Sequence, residues 1–534
     1  MNRRDVLKWI AGGSLGVLAS GQRVQARPYP LRTIQPKNPW DPARLPAGVR
    51  RKVLVVGGGL AGLSAALELA ERGYEVVVRE ADSVLGGKLA TRRLQTGAGT
   101  FEVEHGLHMW FFNYHVFRDI RRRLGLDRHF RPYASGVHFE FRNYQPEVLQ
   151  SNPPRYPQNL IGLLERSPNF NLFSGMRQLG MLRAILFYEH SSNVARLDGL
   201  SFPEWIQRAN LSPAFRDVIL MPAAEVTLND PQRISAAEMA QLMHLCFTSH
   251  PRAMQREVTT VDHGTAVIEP WAAHLRQLGV RFDLGRAVSG LRFERGRAVG
   301  ERGDPTSYDG VVLACAVGGA RAILRGSTSS DPASASALAA LRARTDRLEL
   351  APPYQVLRVW LDRPTRQDRP DILETPEHRP INLMVQFHLL EEESKRWAAA
   401  SGGSVIELHL YHQSAAEAAE RDPHAIWRRV RPTVEELWPE LQPANAMGAT
   451  VGSYEDFTSF AVGQASIRPS ATTPAQDGLA NLTLAGDWVA TDYPSALMER
   501  AVATGREAAN HLLLADGVRQ ASLTVTPSRG PGLF

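Results

Sequence analysis

A glycine-rich hexapeptide, Gly57 to Gly62, has the spacing Gly-x-Gly-x-x-Gly that binds the pyrophosphate of a dinucleotide. Its first glycine permits a tight turn, its second lets the backbone approach the phosphates, and its third lets a helix pack closely on a strand. The hexapeptide follows the apolar run Lys52 to Val56 and begins a small-residue helix, Leu60 to Arg72. Glu80 closes a second apolar strand, where a carboxylate accepts hydrogen bonds from both hydroxyls of an adenosine ribose. These residues predict a βαβ unit that binds a dinucleotide.

Two histidines, His105 and His108, stand in the stretch Glu104-His105-Gly106-Leu107-His108. Either imidazole could act as a general acid or base, and the neighbouring carboxylate of Glu104 would tune its pKa. The alternative is that both rings hydrogen-bond the backbone of their own loop. Their spacing also suits a metal ion, but the sequence singles out no further ligands for a closed site. We therefore predict no metal site.

A second glycine pair and a C-terminal segment accompany the first motif. Gly86-Gly87-Lys88 follows the predicted acid, and Gly486-Asp487 precedes the stretch Tyr-Pro-Ser-Ala-Leu-Met-Glu-Arg that ends at Arg500. In order and spacing these segments resemble FAD-binding oxidoreductases of the flavin amine oxidase and carotenoid desaturase superfamily, and they are closer to the carotenoid desaturases. The family usually has Arg in place of Lys88 and Gly in place of Arg500. The resemblance implies FAD, and a helix beginning near Ser495 whose positive end stabilises the reduced flavin.

The resemblance also implies which residues form the site. In the family the segment around His105 and His108 turns toward flavin and substrate, so these two histidines are the predicted catalytic residues. The predicted substrate contacts are Trp110, Phe112 and Tyr493. The predicted cofactor contacts are Gly57, Gly59, Leu60, Ala61, Gly62, Glu80, Gly86, Gly87, Lys88, Val288, Gly486, Asp487, Leu497 and Met498.

The residue before the Met-Glu pair bears on the substrate. Amine oxidases of this superfamily place an aromatic ring there as part of a cage around the amine, whereas Leu497 offers no ring face to nitrogen. We therefore predict dehydrogenation of an apolar isoprenoid or carotenoid-like substrate by hydride transfer to flavin N5, with oxygen or a quinone as the electron acceptor. The Leu-Met-Glu-Arg-Ala version looks like the branch that converts carotenoid β-rings to aromatic rings. An amine or amino-acid oxidase that produces hydrogen peroxide, and a hydroxysqualene dehydroxylase-like or isomerase flavoenzyme, are the alternatives.

Composition excludes several other classes. The 534 residues are 43% hydrophobic and 22% charged, which is typical of globular proteins rather than disordered or fibrous ones. Only two cysteines are present, too few for a disulfide framework. The formal net charge of +6 includes a basic N-terminus, so it gives little support to a nucleic-acid partner.

The first 26 residues are typical of an export signal. Arg3-Arg4 and Lys8 precede a short apolar run, in a pattern that resembles a twin-arginine signal. That pathway exports folded proteins, which agrees with a cofactor inserted before export. We expect a periplasmic or membrane-peripheral protein, with peripheral membrane contact as one route to an insoluble substrate.

The expected fold is α/β. It has a discontinuous, doubly wound FAD-binding domain of the glutathione-reductase type (Rossmann fold) and an α+β substrate domain with a mostly antiparallel sheet. After the signal at 1–26, prolines make 27–48 a linker without central strands, and the tail 516–534 is expected to be unstructured. The predicted FAD-binding domain comprises 49–135, 225–326 and 447–515. The predicted substrate-binding domain comprises 136–224, expected to be helical, and 327–446.

Overall fold

The structure, a computed structural model, describes residues 31–150, 166–169 and 185–531. A five-stranded parallel sheet carries the glycine-rich loop at the end of its central strand. Because helices cover both faces of such a sheet, its strands are mostly apolar and buried, except for the edge strand Arg281–Asp283. In spatial order the strands are Arg281–Asp283, Glu75–Arg79, Lys52–Val56, Gly310–Leu313 and Leu482–Leu484.

Two helices from opposite ends of the sequence pack together beside this sheet. The helix Leu60–Ala70 contacts the helix Leu497–Ala515, and Ser64 Oγ donates a hydrogen bond to Val502 O at 2.7 Å. A Cβ atom on Gly505 would lie 2.2 Å from Ala61 O, so only glycine allows this close approach. The packing brings the C-terminal segment to the glycine-rich loop.

A seven-stranded sheet forms the second part of the fold, and all of its pairs are antiparallel except one. Apolar side chains of its long strands pack against the helix Pro423–Leu437. In spatial order the strands are Ala446–Tyr454, Tyr354–Leu361, Ser404–Leu410, Leu383–Gln386, Ile372–Glu374, Val137–Phe139 and Glu147–Leu149.

Smaller sheets and further helices complete the described residues. The smaller sheets are Trp110–Phe111 with Arg256–Thr259 and Phe130–Tyr133; Arg297–Glu301 with Leu291–Glu294 and Thr328–Ser329; Thr91–Thr96 with Gly99–Glu104; and Arg32–Ile34 with Leu523–Val525. The other α-helices are His115–Leu124, His190–Leu197, Phe202–Ala209, Pro213–Phe215, Met221–Glu225, Ala236–Met243, Glu269–Gln277, Val317–Gly326, Pro332–Asp346, Phe387–Leu390, Glu392–Ser401, Ala415–Ala419, Gln464–Ile467 and Thr473–Gln476. Three π-helices, Arg216–Leu220, His244–Thr248 and Gly264–Ile268, and three 3₁₀ helices, Gly87–Leu89, Leu126–His129 and Pro439–Leu441, lie between them.

The prediction that the tail, 516–534, is unstructured is wrong for its central part. Leu523–Val525 pairs antiparallel with Arg32–Ile34, a strand inside the predicted linker 27–48. Leu523 and Val525 are buried, which gives the short strand an apolar face that stabilises it. Local sequence could not reveal a partner strand that lies near the other end of the chain.

One predicted secondary structure and two predicted domain boundaries also need correction. The insertion at 136–224 is not wholly helical, because Val137–Phe139 and Glu147–Leu149 extend the seven-stranded sheet. The strand Ala446–Tyr454 carries that sheet across the predicted boundary at 447. The helix Ala236–Met243 packs with residues 197–224 in one apolar cluster, so the predicted boundary at 225 cuts a packed unit.

Some predictions concern residues that the structure does not describe. The signal at 1–26 lies outside the described residues, as do 151–165 and 170–184 of the insertion predicted to be helical. Among the described residues, no helix combines the length and apolarity needed to cross a membrane.

Candidate functional site

The glycine-rich loop has the geometry that its motif requires. Gly57 has φ +111°, and a Cβ atom there would lie 2.6 Å from Ala314 O. A Cβ atom on Gly62 would lie 1.9 Å from Gly57 O. Both positions therefore accept only glycine, one for its conformation and the other for the packing of helix on loop.

The helix after this loop begins without a protein cap. Its N-cap, Gly59, has no side chain to accept a hydrogen bond, and the first turn holds no acidic residue. The N–H groups of Leu60, Ala61 and Gly62 are thus available to an anion at the positive end of the helix. The backbone at Gly59 is open, because the atoms nearest to an added Cβ lie 3.8 Å away. The residues present fit a dinucleotide pyrophosphate.

Glu80 lies directly behind the same loop. Its Oε2 accepts a hydrogen bond from Gly58 N at 2.6 Å, and its Oε1 accepts one from Asp82 N at 2.8 Å. The carboxylate is partly exposed, and each oxygen keeps a lone pair for a ribose hydroxyl. Val288, a further predicted cofactor contact, is almost fully buried in the apolar core around the five-stranded sheet.

The second glycine motif, Gly86-Gly87, is hydrogen-bonded to the glycine-rich loop Gly57 to Gly62. Gly86 N donates to Gly58 O at 2.9 Å, and both Gly86 and Gly87 adopt positive φ. The next residue, Lys88, reaches to the C-terminal segment, where its Nζ lies 2.7 Å from Asp487 Oδ2. Burial alone would lower the pKa of Lys88, but Asp487 and Asp456 outweigh it and hold the pKa above its ordinary value. Two predicted cofactor contacts therefore form one ion pair.

The C-terminal segment places its motif at a strained turn. Gly486 has φ +146°, and its N–H donates to Thr504 Oγ1 at 2.9 Å. Leu497 begins the C-terminal helix with φ +57°, a left-handed conformation that is rare outside glycine and concentrated at functional sites. Met498 packs at the edge of the main core. The helix start has no capping side chain, so its positive end is available to a ligand.

The buried side chain of Arg500 hydrogen-bonds the backbone of this segment, and the sequence analysis assigned it no role. Its Nε donates to Ser495 O at 2.7 Å, and its Nη1 donates to Asp487 O at 3.2 Å. Glu238 lies 3.7 Å from Arg500 Nη2 and also pairs with Arg468. Burial, followed by repulsion from Arg468, lowers the pKa of Arg500 to about 10, so the side chain remains charged at neutral pH. The buried cation of Arg500 thus binds two backbone carbonyls of residues 486–497, the segment that we call the predicted cofactor loop.

Two buried carboxylates hold the loop that carries the predicted catalytic histidines. Glu104 Oε1 accepts a hydrogen bond from His263 N, and Glu407 Oε1 accepts one from Leu107 N, each at 2.8 Å. Arg358 joins the two carboxylates, because its Nη2 lies 2.7 Å from Glu407 and 3.4 Å from Glu104. This network fixes the backbone on both sides of His105.

His108 lies within this region and lines a small, partly open cavity. Its Nδ1 is 2.8 Å from Gly106 O, and its ring packs edge-on against His263. The cavity has a volume of about 10 Å³, enough for one water molecule. Burial, reinforced by His263, lowers the pKa of His108 to about 4. The ring is therefore neutral at physiological pH.

His105 contacts residues from three other segments. Its Nδ1 lies 2.9 Å from Lys88 O, and its Nε2 lies 2.9 Å from the hydroxyl of Tyr354. That hydroxyl also lies 3.4 Å from Asp456 Oδ1, and the ring of Tyr454 packs against the imidazole. Sequence reasoning missed Tyr354 and Asp456, because nothing in their local pattern marks them as neighbours of the histidine loop.

The structure speaks against two of the three predicted substrate contacts. Trp110 is 1% exposed and stacks on Phe117, and Tyr493 is 2% exposed with its hydroxyl bonded to Glu507. Both rings are core residues that present no surface to a ligand. Phe112 is also largely buried, and its ring lies against His250, Arg118 and Arg252.

Comparisons with known proteins agree with this geometry. The family described as flavin-containing amine oxidoreductase matches residues 60–513. A carotenoid phi-ring synthase from Streptomyces griseus is 32% identical over 488 residues, which cover 90% of each chain. A carotenoid phi-ring synthase from Chlorobaculum tepidum is 26% identical and covers 90% of this chain and 91% of its own. The solved structure of a putrescine oxidase bound to putrescine has a TM-score of 0.60 at 15% identity, covering 87% of this chain and 99% of that one, and shows a shared fold.

Proposed function

Because this chain belongs to the flavin-containing amine oxidoreductase family and is an FAD-dependent oxidoreductase of carotenoid desaturase type, we propose that it converts the β-rings of a carotenoid to aromatic rings. The observation that carries the proposal is the similarity to the Streptomyces griseus phi-ring synthase along nearly the whole of both chains. FAD supplies the hydride acceptor. The protein supplies the binding site, the orientation of the ring and the exclusion of water.

The chemistry of the proposed reaction determines how many hydrides and protons the site must take from the substrate. A β-ring carries two methyl groups on one saturated carbon, so it becomes aromatic without loss of carbon only if one methyl migrates to the neighbouring carbon. Each ring then loses four hydrogens, as two hydrides and two protons. FAD held by the loop Gly57 to Gly62 and by Glu80 would accept the two hydrides, and oxygen or a quinone would take both electron pairs from it. The protons need a base on the protein.

Residues at the helix start support an apolar substrate over an amine. Leu497 stands where an amine cage would need an aromatic ring. The uncapped helix N-terminus and the buried charge of Arg500 place positive potential at the predicted cofactor loop. Positive potential there favours the anionic reduced flavin and therefore favours hydride acceptance.

We further propose that the protein acts outside the cytoplasm. The twin arginines at Arg3-Arg4 support export by the twin-arginine pathway, to a periplasmic or membrane-peripheral location. A carotenoid dissolves in the bilayer, so contact with the membrane surface would let the substrate reach the site directly. Fractionation of cells that express the chain with and without Arg3→Lys and Arg4→Lys tests this part, and cytoplasmic retention of only the variant is the expected result.

The experiment for the reaction is an anaerobic comparison of substrates. The purified holoenzyme is mixed with a β-ring carotenoid, a squalene alcohol or a polyamine, and bleaching of the oxidised flavin absorbance is followed. Bleaching by the carotenoid alone is expected. Bleaching by an amine would show that the protein is an amine oxidase instead. Conversion of the squalene alcohol without bleaching would assign a dehydroxylase or isomerase.

A further inference from the structure

Trp40 is the most exposed large apolar residue in the part of the chain that the structure describes. It is 95% exposed, whereas Met447, the next in order, is 50% exposed. An indole ring has a large apolar surface, and folding normally buries most of it. The fold instead holds this ring in solvent and surrounds it with cations.

Trp40 lies at the tip of a β-turn that is held at both ends. Asp41 N donates to Asn38 O at 3.2 Å, which closes the turn around Pro39 and Trp40. Asn38 Nδ2 donates to Asp41 Oδ2 at 2.7 Å and to Val518 O at 2.8 Å. Pro39 fixes its own φ, as is favoured at the second position of such a turn. The backbone therefore has little freedom to fold the ring back onto the protein.

The turn lies against the chain that follows the C-terminal helix Leu497–Ala515. Arg519 N donates to Pro42 O at 2.8 Å. Lys37 N donates to Gln520 Oε1, also at 2.8 Å. These two segments form one surface, which we call the Trp40 face, and its exposed side chains are Lys37, Trp40, Arg44 and Arg519.

The cations of the Trp40 face are not neutralised by neighbouring carboxylates. Within residues 31–150, 166–169 and 185–531, no ion pair is formed by Lys37, Arg44 or Arg519. Of the two carboxylates nearby, Asp41 is partly buried and accepts the hydrogen bond from Asn38. The other, Asp516, pairs with Arg51 at 2.9 Å. The face therefore presents an excess of positive charge around an apolar ring.

An anionic lipid bilayer fits this combination better than a protein does. Tryptophan is enriched at the membrane–water interface, where its ring lies at the level of the headgroups. Lys and Arg near the surface attract anionic headgroups, and their contributions add. Protein interfaces instead are depleted of Lys and bury their Trp residues in pockets near the centre. Trp40 stands at the tip of a turn with unpaired cations beside it.

We propose that the Trp40 face binds the surface of a bilayer that contains anionic lipids, with the indole ring among the headgroups and the three cations on the lipid phosphates. The proposal names the surface for the membrane contact in the proposed function, and it rests on the location proposed there. The face lies where the strand Lys52–Val56 begins, because Arg51 pairs with Asp516. Binding therefore leaves the glycine-rich loop, at the other end of that strand, uncovered.

Vesicle binding by the flavin-loaded full chain tests the proposal without turnover. The probes are vesicles of phosphatidylcholine alone and of phosphatidylcholine mixed with phosphatidylglycerol. We expect binding to the mixed vesicles that weakens with salt, and little binding to phosphatidylcholine alone. Trp40→Ala should lower the affinity at least about tenfold, because the ring no longer leaves water. Equal binding to both kinds of vesicle, or unchanged binding by Trp40→Ala, would overturn the proposal.

Two triple variants separate the Trp40 face from net charge. Removing its cations in the combined variant Lys37→Gln, Arg44→Gln and Arg519→Gln should cost roughly fivefold in affinity per cation. The matched control removes the same charge from exposed arginines in other parts of the fold, by Arg208→Gln, Arg363→Gln and Arg396→Gln. The control should bind nearly as the wild type does. Equal losses in the two triple variants would contradict the proposal.

Fluorescence quenching locates the ring itself. The wild type and Trp40→Phe are compared on vesicles with brominated lipids, and the difference isolates Trp40 from the other tryptophans, including Trp9. Quenching in this difference is expected, and its absence would show that the ring does not reach the lipid.

Sedimentation without lipid tests the other occupant of the face, a second copy of the chain. A wild-type dimer that Trp40→Ala dissociates would assign the face to that interface and overturn the proposal. Vesicle binding needs no carotenoid, so absent turnover would count against the proposed function alone. Absent vesicle binding by an active enzyme would count against the Trp40 face alone.

Discussion

Lys88 and Asp487, which lie in the first and the last part of the dinucleotide-binding fold, form an ion pair with Nζ and Oδ2 2.7 Å apart. The side chains are 26% and 15% exposed, so water screens the pair only in part. Burial alone would raise the pKa of Asp487, yet Lys88 lowers it below the ordinary value. The pair therefore joins the second glycine motif to the C-terminal segment, and both contribute predicted cofactor contacts.

Replacement of Lys88 by Met should destabilise this junction. Asp487 would be left partly buried without its counter-ion, and we expect the free energy of unfolding to fall by about 1–3 kcal/mol. FAD should be lost more readily during gel filtration. Lys88→Arg should keep most of the stability, because the charge is retained.

Denaturant unfolding of the holoenzyme measures this effect, and Lys395→Met is the matched control. Lys395 pairs with Glu392 at 3.7 Å on the surface, where such pairs contribute little. Equal losses in the two variants would show that the junction has no special role.

Arg500 should control how tightly the cofactor loop is held. Arg500→Met removes the charged donors to Asp487 O and Ser495 O, a loss of about 1.5–3 kcal/mol for a charged hydrogen bond, so the dissociation constant of FAD should rise at least about tenfold. Arg500→Lys should restore little of this, because an ammonium group cannot reach both carbonyls in the fork geometry. Fluorescence of released flavin measures the dissociation constant.

Arg342→Met is the control for this prediction. Arg342 also donates to backbone carbonyls, of Leu324 and Ser327, away from the predicted cofactor contacts. An equal rise in the dissociation constant for Arg342→Met would contradict a local role for Arg500.

Low pH should destabilise the fold because it protonates the carboxylate of Glu407. Arg358 and the hydrogen bond from His409 outweigh burial and lower the pKa of Glu407 from 4.5 to about 2. Because the folded-state pKa lies below the unfolded value, this stabilisation is complete above pH 4.5 and is lost as the pH falls toward 2. Glu407→Gln should cost about 3 kcal/mol at neutral pH, since it leaves a buried Arg358 with one partner fewer.

A pH series of unfolding free energies distinguishes this role from general acid sensitivity. The curve of Glu407→Gln should be flatter than the wild-type curve between pH 4.5 and 2. Parallel curves would assign the acid sensitivity to other carboxylates.

The terminal strand pair should be needed for a stable fold. Val525 is 2% exposed, so Val525→Asp places a charge in the core, and a loss of about 2–4 kcal/mol is expected. Thr524→Asp on the same strand should cost less, because Thr524 is only partly buried and its hydroxyl lies 3.4 Å from that of Thr33 in the exposed part of the pair. Thermal unfolding compares the two variants, and similar melting temperatures would show that the strand pair is dispensable.

The sequence could predict those parts of the site whose residues lie close together along the chain. The loop Gly57 to Gly62 and its flanking strand and helix lie within one short stretch, where spacing alone specifies the turn and the open backbone. Fold class and cofactor followed from such motifs. The strand pair of the termini and the contact between His105 and Tyr354 did not, because each joins residues far apart in sequence. Antiparallel strands give no local signal of which strand they will face.

The most direct measurement of the central claim is the product of the reaction. The purified holoenzyme is incubated with a carotenoid that carries β-rings and with oxygen or a quinone, and the product is examined by mass spectrometry and proton NMR. We predict the loss of four hydrogens per converted ring, with every carbon retained and aromatic proton signals present. Desaturation confined to the polyene chain, or no product from flavin-loaded enzyme, would contradict the proposed ring aromatisation.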